Sequence, residues 1–458
     1  MALRTLFKGG TVVSSNASQQ LDILVDGETI VAVGAALSAP DAVEIDVTGK
    51  LLMPGFIDTH THFDLNVCNT TTADDFASGS RSALRGGTTT VLDFATPNKG
   101  ESLAYGLELW HKKADGKSAC DYGFHMTIDD WNESIKAELP AMFDAGITSF
   151  KMYMTYPAMM IGDQDMYYAL EEIKRLGGIA GAHCENSGVI DALIAERKAA
   201  GLLGPDSHPV ARPAALEAEA VSRYLRMAQV VGTPVVIVHL SSAEGLAEVN
   251  AARERGQTVY VETCPHYLLL DDSVYQKPEY TEAARYICAP PIRKKSDQQA
   301  LLTAIADGRV QTVGTDHCSF TLAQKDAGRG DFTKIPGGLP GVETRGVLLY
   351  TLAAEGKFSR EKMVEVLAEN PAKLYGMWPR KGVLAPGSDA DIVVYDPNAD
   401  TVITAKEQVC QVDYNPFEGT LTKGSIHSVY LRGNLVVERG NVLVQGGGKY
   451  ISRGKPSL

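Results

Sequence analysis

The chain has 458 residues, 44% of them hydrophobic and 22% charged, with 43 Lys and Arg against 56 Asp and Glu and a formal net charge of -13. Such a length suits about two or three domains, although an α/β barrel can take up most of it alone, and the apolar content suits a large soluble core. The acidity, unrelieved by any basic run, argues against a nucleic-acid backbone or an anionic membrane as partner.

The seven cysteines are scattered and form no Cys-x-x-Cys, which points to reduced thiols. The first ten residues hold no apolar core of signal-peptide length, and no apolar run approaches a membrane span. The expectation is a soluble, cytoplasmic protein. Residues 1–53 read as short strands at 11–14, 22–25, 29–33 and 42–47, punctuated by Gly9-Gly10, Asp26-Gly27 and Gly34. From 54 to 375 strand and helix alternate. Candidate strands lie at 56–62, 88–95, 121–128, 148–154, 179–185, 234–241, 258–264 and 310–317. Helical stretches at 74–85, 103–113, 135–143, 166–176, 243–255 and 298–306 separate most of them, several closing on glycine where a left-handed cap is wanted. Eight such units predict an α/β fold of the parallel (β/α)8 TIM-barrel type, with longer insertions at 186–233, 266–297 and 318–345. Residues 376–458 return to short strands and end in an extended tail. The two β-rich ends are expected to pair into one smaller domain.

In such a barrel the chemistry sits where the strands end. Reading only those ends yields His60 and His62, Lys151, His183, His239 and Asp316. His60 and His62 are two apart, so on a strand they share a face and can grip one ion. An ionisable group ending an apolar strand is costly unless paired or metal-bound. Any one could be a satisfied core residue, but six on one rim are hard to obtain by packing. Lys151 cannot ligate as an ammonium. From spacing alone it is either paired with a carboxylate or, as a neutral amine, converted by carbon dioxide to a carbamate that bridges two metals. Two divalent ions bring four positive charges that neutral histidines do not offset. A carbamate, Asp316 and a hydroxide leave about +1, a coherent setting for a developing oxyanion.

These residues, with Pro54-Gly55-Phe56-Ile57-Asp58-Thr59-His60-Thr61-His62, Gly86-Gly87-Thr88-Thr89-Thr90, Ser149-Phe150-Lys151, Ala182-His183-Cys184-Glu185-Asn186, Val238-His239-Leu240-Ser241, Thr315-Asp316-His317-Cys318 and Leu384-Ala385-Pro386-Gly387-Ser388-Asp389-Ala390-Asp391, resemble the cyclic amidohydrolases, most closely the dihydropyrimidinases and hydantoinases. The resemblance spans nearly the whole chain. It implies a barrel over 54–375 beside a β-sandwich built from 1–53 and 376–458, two zinc ions (manganese or cobalt as substitutes), and a homo-oligomer, often a tetramer. It implies that His60, His62 and Asp316 hold one metal, His183 and His239 the other, and carboxylated Lys151 both. The substrate would be a small cyclic ureide or imide, hydrolysed to an N-carbamoyl amino acid. Tyr156 would donate to the oxyanion, and Asp316 would carry the proton to the leaving nitrogen.

Two departures stand out. Ala289 replaces the family's usual Ser, and Gly337 its usual Asn, at positions that in the family hold the ring's amide edge largely through main-chain atoms. Leu65, Phe94, Tyr153, Met159 and Met160 are the expected side-chain pocket. Dihydroorotases carry an arginine where this chain has Asp64, which speaks against an anionic substrate. Allantoinases usually have Glu-Pro-Gly in the run that here reads Phe63-Asp64-Leu65-Asn66. A non-catalytic scaffold is disfavoured because all six ligand positions are filled.

Overall fold

The computed structural model describes residues 4–458. Eight strands pair in parallel and in sequence order: β1 (Phe56–Thr61), β2 (Thr88–Ala95), β3 (Asp121–Thr127), β4 (Ser149–Tyr153), β5 (Ile179–His183), β6 (Val235–Ile237), β7 (Val259–Thr263) and β8 (Thr312–Val313). All eight expected barrel strands are present. Helices cover their outer faces, so the strands are buried on both sides and read as continuous apolar runs; every residue of β2 is buried. The ring closes at its C-terminal rim, where Thr61 bridges His317, His62 N–H donates to His317 C=O at 2.8 Å, and His317 N–H donates to His60 C=O at 3.3 Å. That closure brings the residue before His317, which is Asp316, alongside both histidines of β1.

Strands β6 and β8 are three and two residues long, shorter than 234–241 and 310–317 suggest. The reason is local. His239 and Asp316 adopt left-handed backbone, with φ of 37° and 50°, and leave the ladder. Non-glycine residues held in this region are strained and concentrate at functional sites.

The termini form two further sheets. One has four strands, Thr29–Gly34, Asp22–Asp26, Arg4–Lys8 and Val43–Asp46; the other has seven, including Thr11–Val13, Leu51–Pro54, Ile392–Asp396 and Ser425–Leu431. They face each other across Phe7, Ile23 and Val25 on one side and Leu52, Ile392 and Val394 on the other. The apolar run 51–62 therefore serves two sheets and divides at Gly55, whose N–H donates to Asp391 C=O at 2.9 Å. A Cβ there would lie 2.1 Å from Thr89 Oγ1, so only glycine fits the crossing. The tail runs back beneath the barrel, where Ile451 packs with Ile57, Leu92 and Ile179 at the end opposite the site.

Candidate metal centre and its pocket

Six side chains from five strands converge at the rim. Asp316 Oδ1 lies 3.2 Å from His60 Nε2 and 3.3 Å from His62 Nε2. These three atoms all lie within 4.8 Å of one another. Ligands about 2.0–2.1 Å from a tetrahedral ion stand about 3.3 Å apart, so this set fits a zinc-sized divalent cation. The rings of His183 and His239 lie 4.6 Å apart, and that of His239 is 5.3 Å from His60. His62 Nδ1 and His239 Nδ1 are buried with no hydrogen-bond partner. Burial, with Lys151 next in weight, holds His60 well below the usual imidazole range; burial and His183 do the same to His239. Neutral imidazoles are the form that ligates.

Lys151 is 1% exposed. Its amine lies 2.8 Å from His60 Nε2 and above the Phe94 ring, and among the described residues no carboxylate is within ion-pairing distance. Burial lowers its pKa to about 8, against the opposing pull of Asp316 and Glu262. For Asp316 burial opposes ionisation, but the facing His60 and His239 and the hydrogen bond from His62 hold its carboxyl well below the usual range.

Two buried carboxylates orient the histidines, and neither was singled out from sequence. Glu262, at the end of β7, meets His60 Nδ1 at 2.6 Å, which leaves Nε2 free to ligate. Burial raises Glu262 to about 7. Glu185 meets His183 Nε2 at 2.7 Å, leaving Nδ1, and also accepts from Arg212 at 2.6 Å. A carboxylate ending the run Val259-Tyr260-Val261-Glu262 was the available signal for the first, and the sequence spacing His183-x-Glu185 for the second.

A pocket of about 400 Å³ opens over these groups. Its lining includes Tyr153, Tyr156, Leu65, Met159, Ala289 and Gly337, which sequence reasoning had marked. Phe94 is not on the wall; its ring packs beneath the centre, tilted against the His60 ring at 4.5 Å. Met160 and Asp64 also lie outside the lining, and Asp64 C=O instead accepts from Lys113. Apart from Lys151, the basic side chain in the lining is Arg212, compensated by Glu185. Tyr156 sits at φ 69°, its ring 5.2 Å from His183. A larger cleft of about 620 Å³ lies among Lys50, Arg85, Asp396 and His427 and contains none of the six candidate ligand residues, so the smaller pocket is the candidate site.

Residues 51–436 match the Amidohydrolase family. The chain belongs to the amidohydrolase family. Among curated relatives of this amidohydrolase, D-hydantoinase of Streptomyces coelicolor is 41% identical, covering 99% of the chain and 98% of the relative. Dihydropyrimidinase of Rattus norvegicus is 38% identical over 98% of the chain and 89% of its own length. The crystal structure of dihydropyrimidinase from Brevibacillus agri superposes with a TM-score of 0.98 at 40% identity, covering all of both chains. The family implies a binuclear metal centre, which the donor set described above accommodates.

Proposed function

We propose that the chain is a cyclic-amide hydrolase that opens dihydropyrimidines and 5-substituted hydantoins to N-carbamoyl amino acids. The observation that carries this reading is the convergence of His60, His62, Lys151, His183, His239 and Asp316 at the floor of a largely apolar pocket. The relatives named for these activities over nearly their full lengths support it.

In this reading His60, His62 and Asp316 would hold one cation, His183 and His239 a second, and Lys151, as a carbamate, would add an anionic donor to the centre. Zinc suits the nitrogen and oxygen donors; manganese or cobalt would also be accepted. When bound, two divalent cations lower the pKa of water towards neutrality and polarise a carbonyl oxygen. The protein's own groups do the rest. Glu262 and Glu185 fix the tautomers of His60 and His183. The Tyr156 hydroxyl donates to the carbonyl oxygen as charge builds there. Asp316, with its side chain 13% exposed at the pocket floor, accepts the proton of the attacking water and returns it to the ring nitrogen as the C–N bond breaks. Leu65, Met159, Ile194 and Phe332 exclude water and receive the ring's substituent.

A cytosolic homo-oligomer, a tetramer by resemblance, completes the reading; the seven free cysteines support a reducing compartment. Steady-state assays on dihydrouracil, hydantoin, 5-aryl hydantoins, allantoin and dihydroorotate, with metal analysis of the same preparation, test it. Hydrolysis of the first three with about two metals per chain is expected. Preference for dihydroorotate, or less than about one metal per chain with no effect of chelation, would overturn it.

A further inference from the structure

Lys325 is fully buried on the short helix Leu322–Asp326, and among the described residues its ammonium has no carboxylate partner. It donates instead to three main-chain carbonyls: Ile287 at 2.8 Å, Pro336 at 2.7 Å and Gly338 at 2.8 Å. An ammonium has three protons, so every donor is used. Gly338 N–H also donates to Ile287 C=O at 2.9 Å, tying the two segments to each other. Gly338, at φ 151°, could not carry a side chain, because a Cβ would lie 2.3 Å from Cys318 C=O. Gly337 differs: the nearest atom to a Cβ there is 4.0 Å away, so the wall presents bare backbone to open space.

Gly337, between the clamped Pro336 and Gly338, and Ala289, two residues after the clamped Ile287, are the informative ones. Ala289 and Gly337 line the pocket, and among the described residues neither makes a main-chain hydrogen bond. Unpaired N–H and C=O groups beside a pocket are costly unless a ligand satisfies them. A ring amide, with one donor and one acceptor on an edge, is such a ligand. Two flexible loops would have to be ordered to receive it, unless something orders them beforehand.

We propose that Lys325 is a positioning residue for substrate, clamping segments 287–289 and 336–338 so that the free main-chain groups of Ala289 and Gly337 stand ready for the ring's amide edge. The proposal rests on the cyclic-ureide reading for the identity of the ligand, but not for the clamp itself. Burial holds Lys325 down to about 8, partly offset by the nearby thiols of Cys288 and Cys318, so at neutral pH most of the lysine keeps all three donors. None of the three hydrogen bonds of Lys325 goes to any of the six candidate metal ligands, so its loss should leave metal binding unchanged.

The test compares the metal-loaded wild type with Lys325→Met, which keeps the stem and loses the donors, and Lys325→Gln, which keeps two. KM for dihydrouracil and hydantoin should rise about tenfold or more in Lys325→Met, with kcat within about threefold and metal content as in the wild type. Lys325→Gln should fall between. Backbone hydrogen exchange should quicken in 286–291 and 335–339 and not in β1. An unchanged KM, or a loss of kcat with KM intact, overturns the proposal. If Lys325→Met yields no folded protein, Lys325→Gln carries the same comparison. If the wild type opens no ring, the substrate reading fails by itself, and hydrogen exchange alone decides the clamp: quickened exchange supports it, unaltered exchange rejects it.

Discussion

Lys151 combines features that an ordinary structural lysine does not. It is sealed in the barrel, faces an imidazole nitrogen at 2.8 Å, and has no carboxylate within ion-pairing distance among the described residues. The paired-lysine alternative is therefore without its partner, and the proposed conversion to a carbamate would turn a repulsive neighbour of two cations into an anionic ligand. Lys151→Ala should lose metal and activity together, measured by elemental analysis and hydrolysis, with partial rescue by a short carboxylic acid; full retained activity would falsify the carbamate role. Tyr156 is the other residue whose placement invites a direct test. Its left-handed backbone presents the ring to His183 and the pocket, and burial pushes its hydroxyl well up, keeping it a donor across the working pH range. Tyr156→Phe should cut kcat by roughly 10²–10³ while metal content stays constant. A rate equal to the wild type's would remove Tyr156 from the chemistry.

At the scale of elements, the barrel supplies the candidate metal ligands and the insertions supply the walls. Ile194, His208 and Arg212 come from the insertion after β5, Ile287 and Ala289 from that after β7, and Phe332, Ile335 and Gly337 from that after β8. Selectivity among ring substituents is thus separable from catalysis. Phe332→Ala should lower kcat/KM for a 5-phenyl hydantoin about tenfold or more relative to unsubstituted hydantoin, a ratio that does not depend on how much protein is folded. An unchanged ratio would exclude Phe332 from the substituent's site. The same division explains what could be read from sequence. Strands buried on both faces are apolar throughout, so the eight barrel strands and the ionisable residues ending them stood out. Ser18–Gln20 did not, being three residues long at the edge of a sheet completed by residues hundreds of positions away, and neither did the short Arg4–Lys8, which pairs with Asp22–Asp26 and Val43–Asp46. Glu262 and Glu185 are less legible for a different reason: the run ending in Glu262 and the spacing His183-x-Glu185 mark carboxylates near the rim but do not say that they orient His60 and His183, which only the contacts show. Asp64 looked like part of the pocket because it follows His62, but its left-handed φ of 51° goes with a turn away from the lining.

For the molecule as a whole, the division proposed from sequence at about residues 53 and 375 leaves the two-ended β domain to be fastened to the barrel, and a buried ion cluster is placed to do so. Lys381 is 2% exposed and donates to Asp121 at 2.6 Å and Asp391 at 2.7 Å. Asp121 begins β3, Asp391 precedes the sheet strand Ile392–Asp396, and Arg432, which follows Ser425–Leu431, also pairs with Asp121. Burial opposes the charge on Lys381, but Asp391, Asp121 and Asp389 outweigh it and raise its pKa above the ordinary lysine value. A raised lysine contributes stability that is fully present below its unfolded pKa of about 10.4 and is lost only as pH climbs through the folded value, so the contribution is constant from about pH 5 to 9. Removing the cation leaves buried Asp391 without its cation and Asp121 with Arg432 alone, a change that costs about 3–5 kcal/mol. Lys381→Met should therefore lower the denaturant midpoint and shorten the half-life at elevated temperature equally at pH 6 and pH 8. KM and metal content in the cold should stay as in the wild type, because the cluster lies at the end of the barrel away from the ligands. A variant as stable as the wild type would mean that the apolar contacts between barrel and β domain hold them together without the ions.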